Sequence, residues 1–401
     1  MNIILFDDAL RVDLLPMCFT RPCGDLRIGI LTIKEKWEKY TKSNVSFLTQ
    51  DYLQKKFPCT YASDNLYING RLLPNQKLLE EILALEEGEG LGNEDKFEII
   101  AFRSAKSYTN IVESKEDITF KYIQNQYSGL SHVTDVFSLN AQEIKIDFNL
   151  ISNQRKSQKL STTNTLIGDD IFIEEGAKIE AAVLNTNDGP IYIGKNAEIM
   201  EGSLIRGPFA LCEHSTIKMG AKIYGGTTVG PDSKVGGEVS NVVFQGFSNK
   251  GHDGFLGNSA IGEWCNLGAD TNSSNLKNNY ASVKLWHYGS KRFTNTGLQF
   301  CGLIMGDHSK CGINTMFNTG TVVGVSTNIF GAGFPRNFIP SYTWGGATGF
   351  STYSIAKAYE TAEKVMQRRK LPLTDVDKEI LKHIFDTSSE HRFWENQILK
   401  A

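Results

Sequence analysis

The sequence predicts an α/β domain followed by a parallel β-helix and two C-terminal helices. Three observations lead to this prediction. Strand-like and helix-like segments alternate in the first third of the chain, apolar residues then recur every six positions, and two amphipathic stretches come after the repeat. We therefore expect domains at residues 1–155, 156–345 and 346–401.

The first domain is predicted from alternating short apolar and amphipathic segments. "NIILF" (2–6) and "VSFLT" (45–49) are typical of buried strands, whereas "NQKLLEEILALEE" (75–87) is typical of an amphipathic helix. Alternation of this kind indicates an α/β domain with a largely parallel sheet. A last helix is expected over 139–151, and the polar stretch 152–165 is expected to be a linker.

The second domain is predicted from an apolar step of six residues. The step is taken by Ile167, Ile173, Ile179, Ile193, Ile199, Ile205, Leu211, Ile217, Ile223, Val229, Val235, Phe255, Ile261, Leu267, Met305, Cys311, Phe317, Val323 and Ile329. Each hexad supplies one short strand and a turn, so its apolar side chain points inward and stacks on those of neighbouring coils. The repeat thus predicts a parallel β-helix, with Phe255 among its inward residues.

Two helices are predicted after the repeat, over 354–370 and 375–386. Thr374 precedes the second as an N-cap, and Asp377 three residues later completes an acidic capping box. We expect this tail to pack against the solenoid or against a neighbouring subunit.

Composition excludes several classes of protein. A net charge of −3 and a pI near 6.2 give no basic field for nucleic acid or for a membrane surface. The opening "MNIILFDDAL" has too short an apolar run for a signal peptide, and no run reaches the roughly 18–20 residues that span a bilayer. The seven cysteines include no CxxC pair. These features predict a cytoplasmic protein without a disulfide framework or zinc site.

The segment "NKGHDGFLG" (249–257) places His252 between glycines at a predicted bend. Histidine has an unperturbed pKa near 6.5 and can accept a proton from an amine at neutral pH. General-base catalysis is therefore one interpretation of His252, and a solvated loop histidine is the other.

The combination of an α/β domain and hexapeptide repeats resembles a family of bifunctional bacterial enzymes. Members acetylate glucosamine-1-phosphate and then uridylylate the product to UDP-N-acetylglucosamine. Three segments carry the resemblance: "GPFA" (207–210), "EVSN…NKGHDGFLGNSAIGEWCNLGAD" (238–270) and "GDHSKCGINT" (306–315). The resemblance implies a left-handed β-helix that forms homotrimers, with acetyl-CoA in the groove between adjacent solenoids.

The resemblance also implies roles for individual residues. His252 matches the catalytic base of acetyl transfer, and backbone N–H groups of the glycine-rich turns are expected to stabilise the oxyanion. The residues implied at the acetyl-CoA site are Ala269, Asn314 and Thr315. The residues expected at the sugar site are Glu238, Phe255, Asn266 and Asn275, together with the cations Arg206 and Lys250, each of which is otherwise a solvated surface charge.

The sequence departs from the family at the residues that hold the sugar phosphate. The family arginine after "GPFA" is Glu213 or His214 here, and two family lysines are Ser240 and Asn241. The family tyrosine is Phe255. Other cations must therefore hold the phosphate, or the substrate differs. The cations that the sequence offers are Arg206, Lys218, Lys250 and Lys277.

In the N-terminal domain the resemblance is to a nucleotidyltransferase of Rossmann type. The family's glycine-rich loop, which holds the triphosphate, is replaced by "DDALRVDLLPMCFTRP" (7–22), in which Met17 takes the place of the lysine. Arg11, Arg21 and Arg27 are the candidate phosphate ligands, and Mg²⁺ is expected only if this domain is active. A fold kept for sugar binding or packing is the alternative.

Taken together, the sequence predicts an acetyl-CoA-dependent N-acetyltransferase that acts on an amino-sugar phosphate, with glucosamine-1-phosphate as the expected acceptor. One alternative is a sugar-1-phosphate nucleotidyltransferase that works through the N-terminal domain. Another is a non-catalytic protein that binds sugar nucleotides or serves in assembly.

Overall fold

The computed structural model describes residues 2–93 and 98–398. The chain forms two compact units. One consists of Met1–Leu14, Thr20–Leu26 and Leu31–His132, and the other of Leu15–Phe19, Arg27–Ile30 and Val133–Ala401.

The first unit contains a mixed sheet. Its order across the sheet is Val45–Leu48, Asn2–Phe6, Asn65–Asn69, Glu98–Ser104, Glu89–Asn93 and Thr119–Tyr122. Glu98–Ser104 runs antiparallel to both of its neighbours, and the other pairs are parallel. The sheet is therefore mixed rather than largely parallel, because the strand Glu98–Ser104 pairs antiparallel on both sides. A two-stranded ladder joins Leu72–Leu73 to Ser128–Gly129.

The two longest helices of the first unit begin at a capping side chain. Its helical segments are Ala9–Leu14, Cys23–Asp25, Ile33–Thr41, Asp51–Gln54, Gln76–Leu83 and Ile111–Glu116. Thr32 and Glu35 form a reciprocal capping box at one helix, and Asn75 accepts the Leu78 N–H at another.

The second unit is a β-solenoid. Strands of its larger sheet are Thr165–Ile167, Ile171–Ile173, Val183–Asn185, Ile191–Ile193, Leu204–Arg206, Phe209–Leu211, Lys222–Ile223, Thr227–Val229, Glu238–Gly246, Phe255–Glu263, Asn272–Ser273, Leu303–Met305, Met316–Phe317, Thr321–Val323 and Phe338–Ile339. Those of the smaller are Lys178–Ile179, Glu198–Ile199, Thr216–Ile217, Lys234–Val235, Asn249–Lys250, Asn266–Leu267, Lys310–Cys311, Asn328–Ile329, Thr343–Gly346 and Gly349–Thr352.

Three hexads make one coil of the regular solenoid. Residues therefore pair in parallel with partners 18 positions further along, as Ile193 does with Leu211 and Ile199 with Ile217. The inward residues form one continuous apolar core. The predicted fold class, an α/β region, a hexapeptide β-helix and C-terminal helices, is confirmed.

Two predicted inward residues do not lie in this core. Ile167, in the first strand of the larger sheet, is 40% exposed. Phe255 is only half-buried, and the prediction that it points inward is wrong, because Val239 pairs with Leu256 and these two residues fill the core instead. The coil is one residue shorter here than the hexad rule requires, so the inward position moves by one.

The coils after Val235 are irregular. The strands Glu238–Gly246 and Phe255–Glu263 are nine residues long and run past a corner of the solenoid. Ile261 then pairs with Met305, 44 positions further along. Much of the intervening chain forms a hairpin of Lys284–His287 with Arg292–Asn295.

The remaining helices of the second unit are Asp135–Ser138, Asn140–Ser152, Ile355–Gln367, Asp375–Thr387, Ser388–His391 and Phe393–Ile398. The predicted capping box at Thr374 and Asp377 is present. Tyr342 of the solenoid donates a 2.6 Å hydrogen bond to the Leu381 carbonyl, so the tail packs on its own solenoid. Among the described residues, no helix has the length and apolar character needed to cross a membrane.

The compact units change at residue 133, whereas the domain limit predicted at residue 155 stays a prediction. The helix Asn140–Ser152 belongs with the solenoid, because Asn140 donates to the Gly226 carbonyl at 2.7 Å and Asp147 accepts the Ile30 N–H at 2.8 Å.

Candidate functional site

The irregular coils of the solenoid border a cavity of about 560 Å³. It is lined by Lys218, Lys234, Phe247, Asn249, Gly251, His252, Trp264, Cys265, Asn266, Leu267, Gly268, Ala269, Lys310, Ile313, Val365, Arg368 and Arg369. Three of the predicted site residues, His252, Asn266 and Ala269, are therefore brought to one cavity.

A buried lysine holds the backbone of the His252 bend. Lys250 is 1% exposed, and its Nζ donates to the His252 carbonyl at 2.9 Å and to the Gly236 carbonyl at 3.2 Å. Burial lowers the pKa of Lys250 to about 8. The structure thus gives Lys250 a positioning role rather than the predicted contact with sugar, since its ammonium is turned toward the backbone and is outside the cavity lining.

Gly254 allows the chain to turn back after His252. Its φ is +112°, and a Cβ there would lie 2.2 Å from the Thr271 carbonyl oxygen. The neighbouring Asp253 carbonyl accepts the Asp270 N–H at 3.0 Å. The bend is therefore fixed on both sides, while the imidazole of His252 stays exposed at the cavity.

Ala269 provides a backbone donor at the cavity wall. Its carbonyl accepts the Asn314 N–H at 2.8 Å. Within the described chain its own N–H donates to no protein acceptor, although Gly268 N–H is used by the Cys311 carbonyl. An amide left open in this way can donate to a developing oxyanion or to a bound acyl donor.

Lys310 was missed at the sequence level although it lies in the quoted segment 306–315. Its Nζ donates to the His308 carbonyl at 2.8 Å, and burial lowers its pKa to about 8. Lys310 is inconspicuous in the sequence because it occupies a strand position next to an inward hexad residue.

Aromatic rings form another part of the wall. Phe247 stacks on Trp264 with ring centroids 4.2 Å apart, and Trp264 lies parallel to His308 at 6.2 Å. These rings offer an apolar surface beside the polar groups, which is the usual composition of a small-molecule site.

Four further cations line the cavity. Lys218 was among the cations that the sequence offered, whereas Lys234, Arg368 and Arg369 were not considered. The two arginines directly follow the helix Ile355–Gln367, and Arg369 Nη2 donates to the Asp232 carbonyl at 3.0 Å. The run "QRRK" (367–370) at the end of an amphipathic helix was the only indication of them in the sequence.

The other residues predicted for the sugar site lie elsewhere. Glu238 pairs with Phe255 in the ladder, and a Cβ at Gly257 would contact both the Phe255 ring and Asn275. These three residues thus form a separate group outside the cavity lining. Arg206 is largely exposed and faces Asp188 at 3.3 Å.

The two remaining residues predicted for acetyl-CoA border the cavity without lining it. Asn314 is exposed with a φ of +55°, and its backbone contacts Ala269. Thr315 is buried, and its hydroxyl donates to the Gly312 carbonyl at 2.8 Å. Both stabilise turns that shape the Ala269 wall.

The three N-terminal arginines are buried and engaged by protein groups. Arg11 donates to the Tyr52 hydroxyl at 2.8 Å, and Arg21 lies 3.8 Å from Asp25. Arg27 donates to the Ile30 carbonyl and belongs to the solenoid unit. Each of the three side chains is thus held by protein groups, and their role as phosphate ligands stays a prediction.

The acidic residues at the start of the segment 7–22 accept hydrogen bonds from protein groups. Over residues 2–93 and 98–398, no cluster of three or more histidine, cysteine or acidic side chains is arranged to hold a metal. In the first unit, Asp7 accepts from the Thr49 hydroxyl at 2.6 Å and Asp8 from Arg71 at 2.8 Å. Their carboxylates are thus used by protein donors.

Comparison with known proteins relates the two parts of the chain to two activities. Residues 3–156 match the family described as sugar nucleotidyl transferase. An uncharacterized acetyltransferase, YaiX of Escherichia coli O6:K15:H31, is 26% identical over 203 residues, which are 49% of this chain and 82% of that protein. The bifunctional protein GlmU of Wigglesworthia glossinidia brevipalpis is 29% identical over 169 residues, 41% of this chain but only 32% of that protein.

Similar solved structures are also acyltransferases. The polySia-specific acetyltransferase NeuO has 16% identity and a TM-score of 0.28, with 52% of this chain and all of that chain covered. AntD, an N-acyltransferase from Bacillus cereus solved with dTDP and coenzyme A, has 14% identity and a TM-score of 0.22, with 51% and 91% covered. At these scores neither structure bears on the reaction of this chain.

These similarities support the predicted family only broadly, as a region like a sugar nucleotidyltransferase joined to a region like acetyltransferases. The predicted enzyme class, acyltransferase, is confirmed by the relatives that are named as acetyltransferases.

Proposed function

We propose that the cavity catalyses transfer of an acetyl group from acetyl-CoA to the amine of an amino-sugar phosphate. The observation that carries this proposal is the meeting of His252, Asn266 and the Ala269 amide in one cavity of about 560 Å³. Because the chain is similar to YaiX and GlmU, we expect acetyl transfer. We infer glucosamine-1-phosphate as the acceptor from the resemblance.

His252 acts as the general base in this proposal. The amine attacks the thioester carbonyl, a C–N bond forms, and the imidazole takes the amine proton. The tetrahedral oxyanion accepts a hydrogen bond from the Ala269 N–H. Collapse then breaks the C–S bond, and the leaving CoA thiolate takes a proton from the imidazolium.

The test is an acetyl-transfer assay on the full chain. Purified protein is incubated with acetyl-CoA and glucosamine-1-phosphate, beside a panel of other amino sugars, and both the released thiol and the N-acetyl product are measured. His252→Ala is expected to lower kcat by about 10²–10⁴.

The matched control is His287→Ala, because His287 lies in the hairpin and outside the cavity lining. Equal rates for His252→Ala and the parent protein would contradict the base role. Absence of acetyl-CoA binding in the parent protein would instead favour a non-catalytic binding or assembly protein.

We also propose that the chain forms a homotrimer. Large apolar side chains lie open on the solenoid, among them Met219 at 70%, Ile313 at 71% and Leu204 at 51% exposure. Ile313 also lines the cavity, so a neighbouring solenoid would close it. Light scattering after size-exclusion chromatography tests this, and a monomer at micromolar concentration would contradict it.

Sugar-1-phosphate nucleotidyl transfer is a second candidate, favoured by the family match over residues 3–156. Its test is release of pyrophosphate from UTP or dTTP in the presence of a sugar 1-phosphate. Release above background would support this candidate, and no release would leave a fold kept for sugar binding or packing.

A further inference from the structure

The cavity beside His252 is lined by cations and by no acid. Its charged lining side chains are Lys218, Lys234, Lys310, Arg368 and Arg369. In the described part of the chain, none of these five forms an ion pair with a carboxylate. Positive charge thus reaches the same cavity from two neighbouring coils of the solenoid, from a later coil and from the turn after the helix Ile355–Gln367.

This arrangement costs electrostatic energy when nothing anionic is bound. Burial lowers the pKa of the Lys234 ammonium, and the positive charges of Arg369 and Lys218 lower it further. The Glu198 carboxylate acts in the opposite direction but does not reverse the effect. A ligand with negative charge would relieve the repulsion.

Several of the donors are available to a ligand. Arg369 and Lys310 use hydrogen bonds to the Asp232 and His308 carbonyls to hold their positions. By contrast, the side chains of Arg368, Lys218 and Lys234 donate to no protein acceptor among the residues described. A planar guanidinium between ammonium groups matches the tetrahedral oxygens of a phosphate.

We propose that Arg368, Lys218 and Lys234 form a subsite for a phosphate monoester beside His252, with Arg369 holding the turn that carries Arg368. The proposal rests on the proposed acetyl transfer for the identity of the ligand, which is either the phosphorylated amino sugar or the phosphate groups of the acyl donor.

The experiment measures binding of two ligand pairs by calorimetry. Glucosamine-1-phosphate is compared with glucosamine, and CoA is compared with dephospho-CoA, which lacks only the 3′-phosphate monoester. Both pairs are measured for the parent protein, for the double variant Lys234→Gln/Arg368→Gln and for Lys370→Gln. Lys370 is a matched control because it follows the same helix but does not line the cavity. Thermal unfolding of each variant verifies that it is folded.

The parent protein and Lys370→Gln are expected to prefer the member with the phosphate monoester in at least one pair. The double variant is expected to bind the member with the phosphate monoester on the order of 10-fold more weakly, or weaker still, because hydrogen bonds to charged groups are strong. It is expected to bind the member without the monoester as the parent protein does. The ligand pair whose preference is lost in the double variant shows whether the bound phosphate belongs to the acetyl acceptor or to the acetyl donor.

The proposal is overturned if the parent protein shows no preference in either pair, or if the double variant keeps it. The same titrations on His252→Ala measure phosphate binding separately from acetyl transfer. A protein that binds phosphate through Arg368 but transfers no acetyl group would refute the acetyltransferase and leave the subsite standing.

Discussion

The regular and the irregular coils of the solenoid differ in what their residues do. Between Ile193 and Val235 every sixth side chain is buried, and each coil repeats the register of the last. From Val239 to Met305 the register changes and an insertion enters, and here the chain turns His252 toward a cavity. Uniform hexads thus provide a rigid frame, whereas departures from the hexad bring reactive groups to its surface.

The largest difference is expected between Ile217→Ala and His252→Ala. Ile217 is fully buried in a regular coil, so its truncation should lower the free energy of unfolding by about 2–5 kcal/mol. The exposed His252 should change it by less than about 0.5 kcal/mol. Chemical denaturation monitored by circular dichroism measures both. Equal losses of unfolding free energy would show that the regular coils do not contribute more to stability than the bend at His252.

An intermediate effect is expected where the irregular coil turns. Gly254→Ala places a methyl group against the Thr271 carbonyl at a φ of +112°, so we expect a cost of about 1–3 kcal/mol and a lower rate of acetyl transfer. Gly251→Ala is the matched control for stability, because no atom lies within 4 Å of its added Cβ. If both variants unfold alike, Gly254 does not constrain the bend.

A third effect is expected in the pH dependence of stability. Because the pKa of Lys250 is about 8 in the folded chain and near 10.4 in an unfolded one, the unfolded state binds more protons between these values. The Lys250 contribution to the free energy of unfolding should therefore rise with pH over this window, by at most about 1.4 kcal/mol per pH unit.

The measurement compares the parent protein with Lys250→Met from pH 7 to 10, so that other titrating groups cancel. The free energy of unfolding of the parent, relative to the variant, should increase above pH 8. A constant difference would mean that the Lys250 ammonium is not desolvated.

The sequence allowed much of the fold to be predicted, because a hexad is a local pattern that each coil repeats. It led to His252 for a related reason, since a polar bend between glycines stands out against that pattern. Phe255 was misplaced because a coil one residue short cannot be recognised without its ladder partner. Arg368 could not be found, because only tertiary packing of the C-terminal helix brings it to a cavity built by residues far earlier in the chain.

That helix has a consequence for the order of events during synthesis. A solenoid can grow coil by coil as the chain emerges, since each coil needs only its neighbour. Lys218 and Arg369, however, are 151 residues apart, so at about 5–20 residues per second roughly 8–30 s pass between them on the ribosome. The frame of the cavity can thus fold during translation, but its charge is completed only after the helix Ile355–Gln367 has docked.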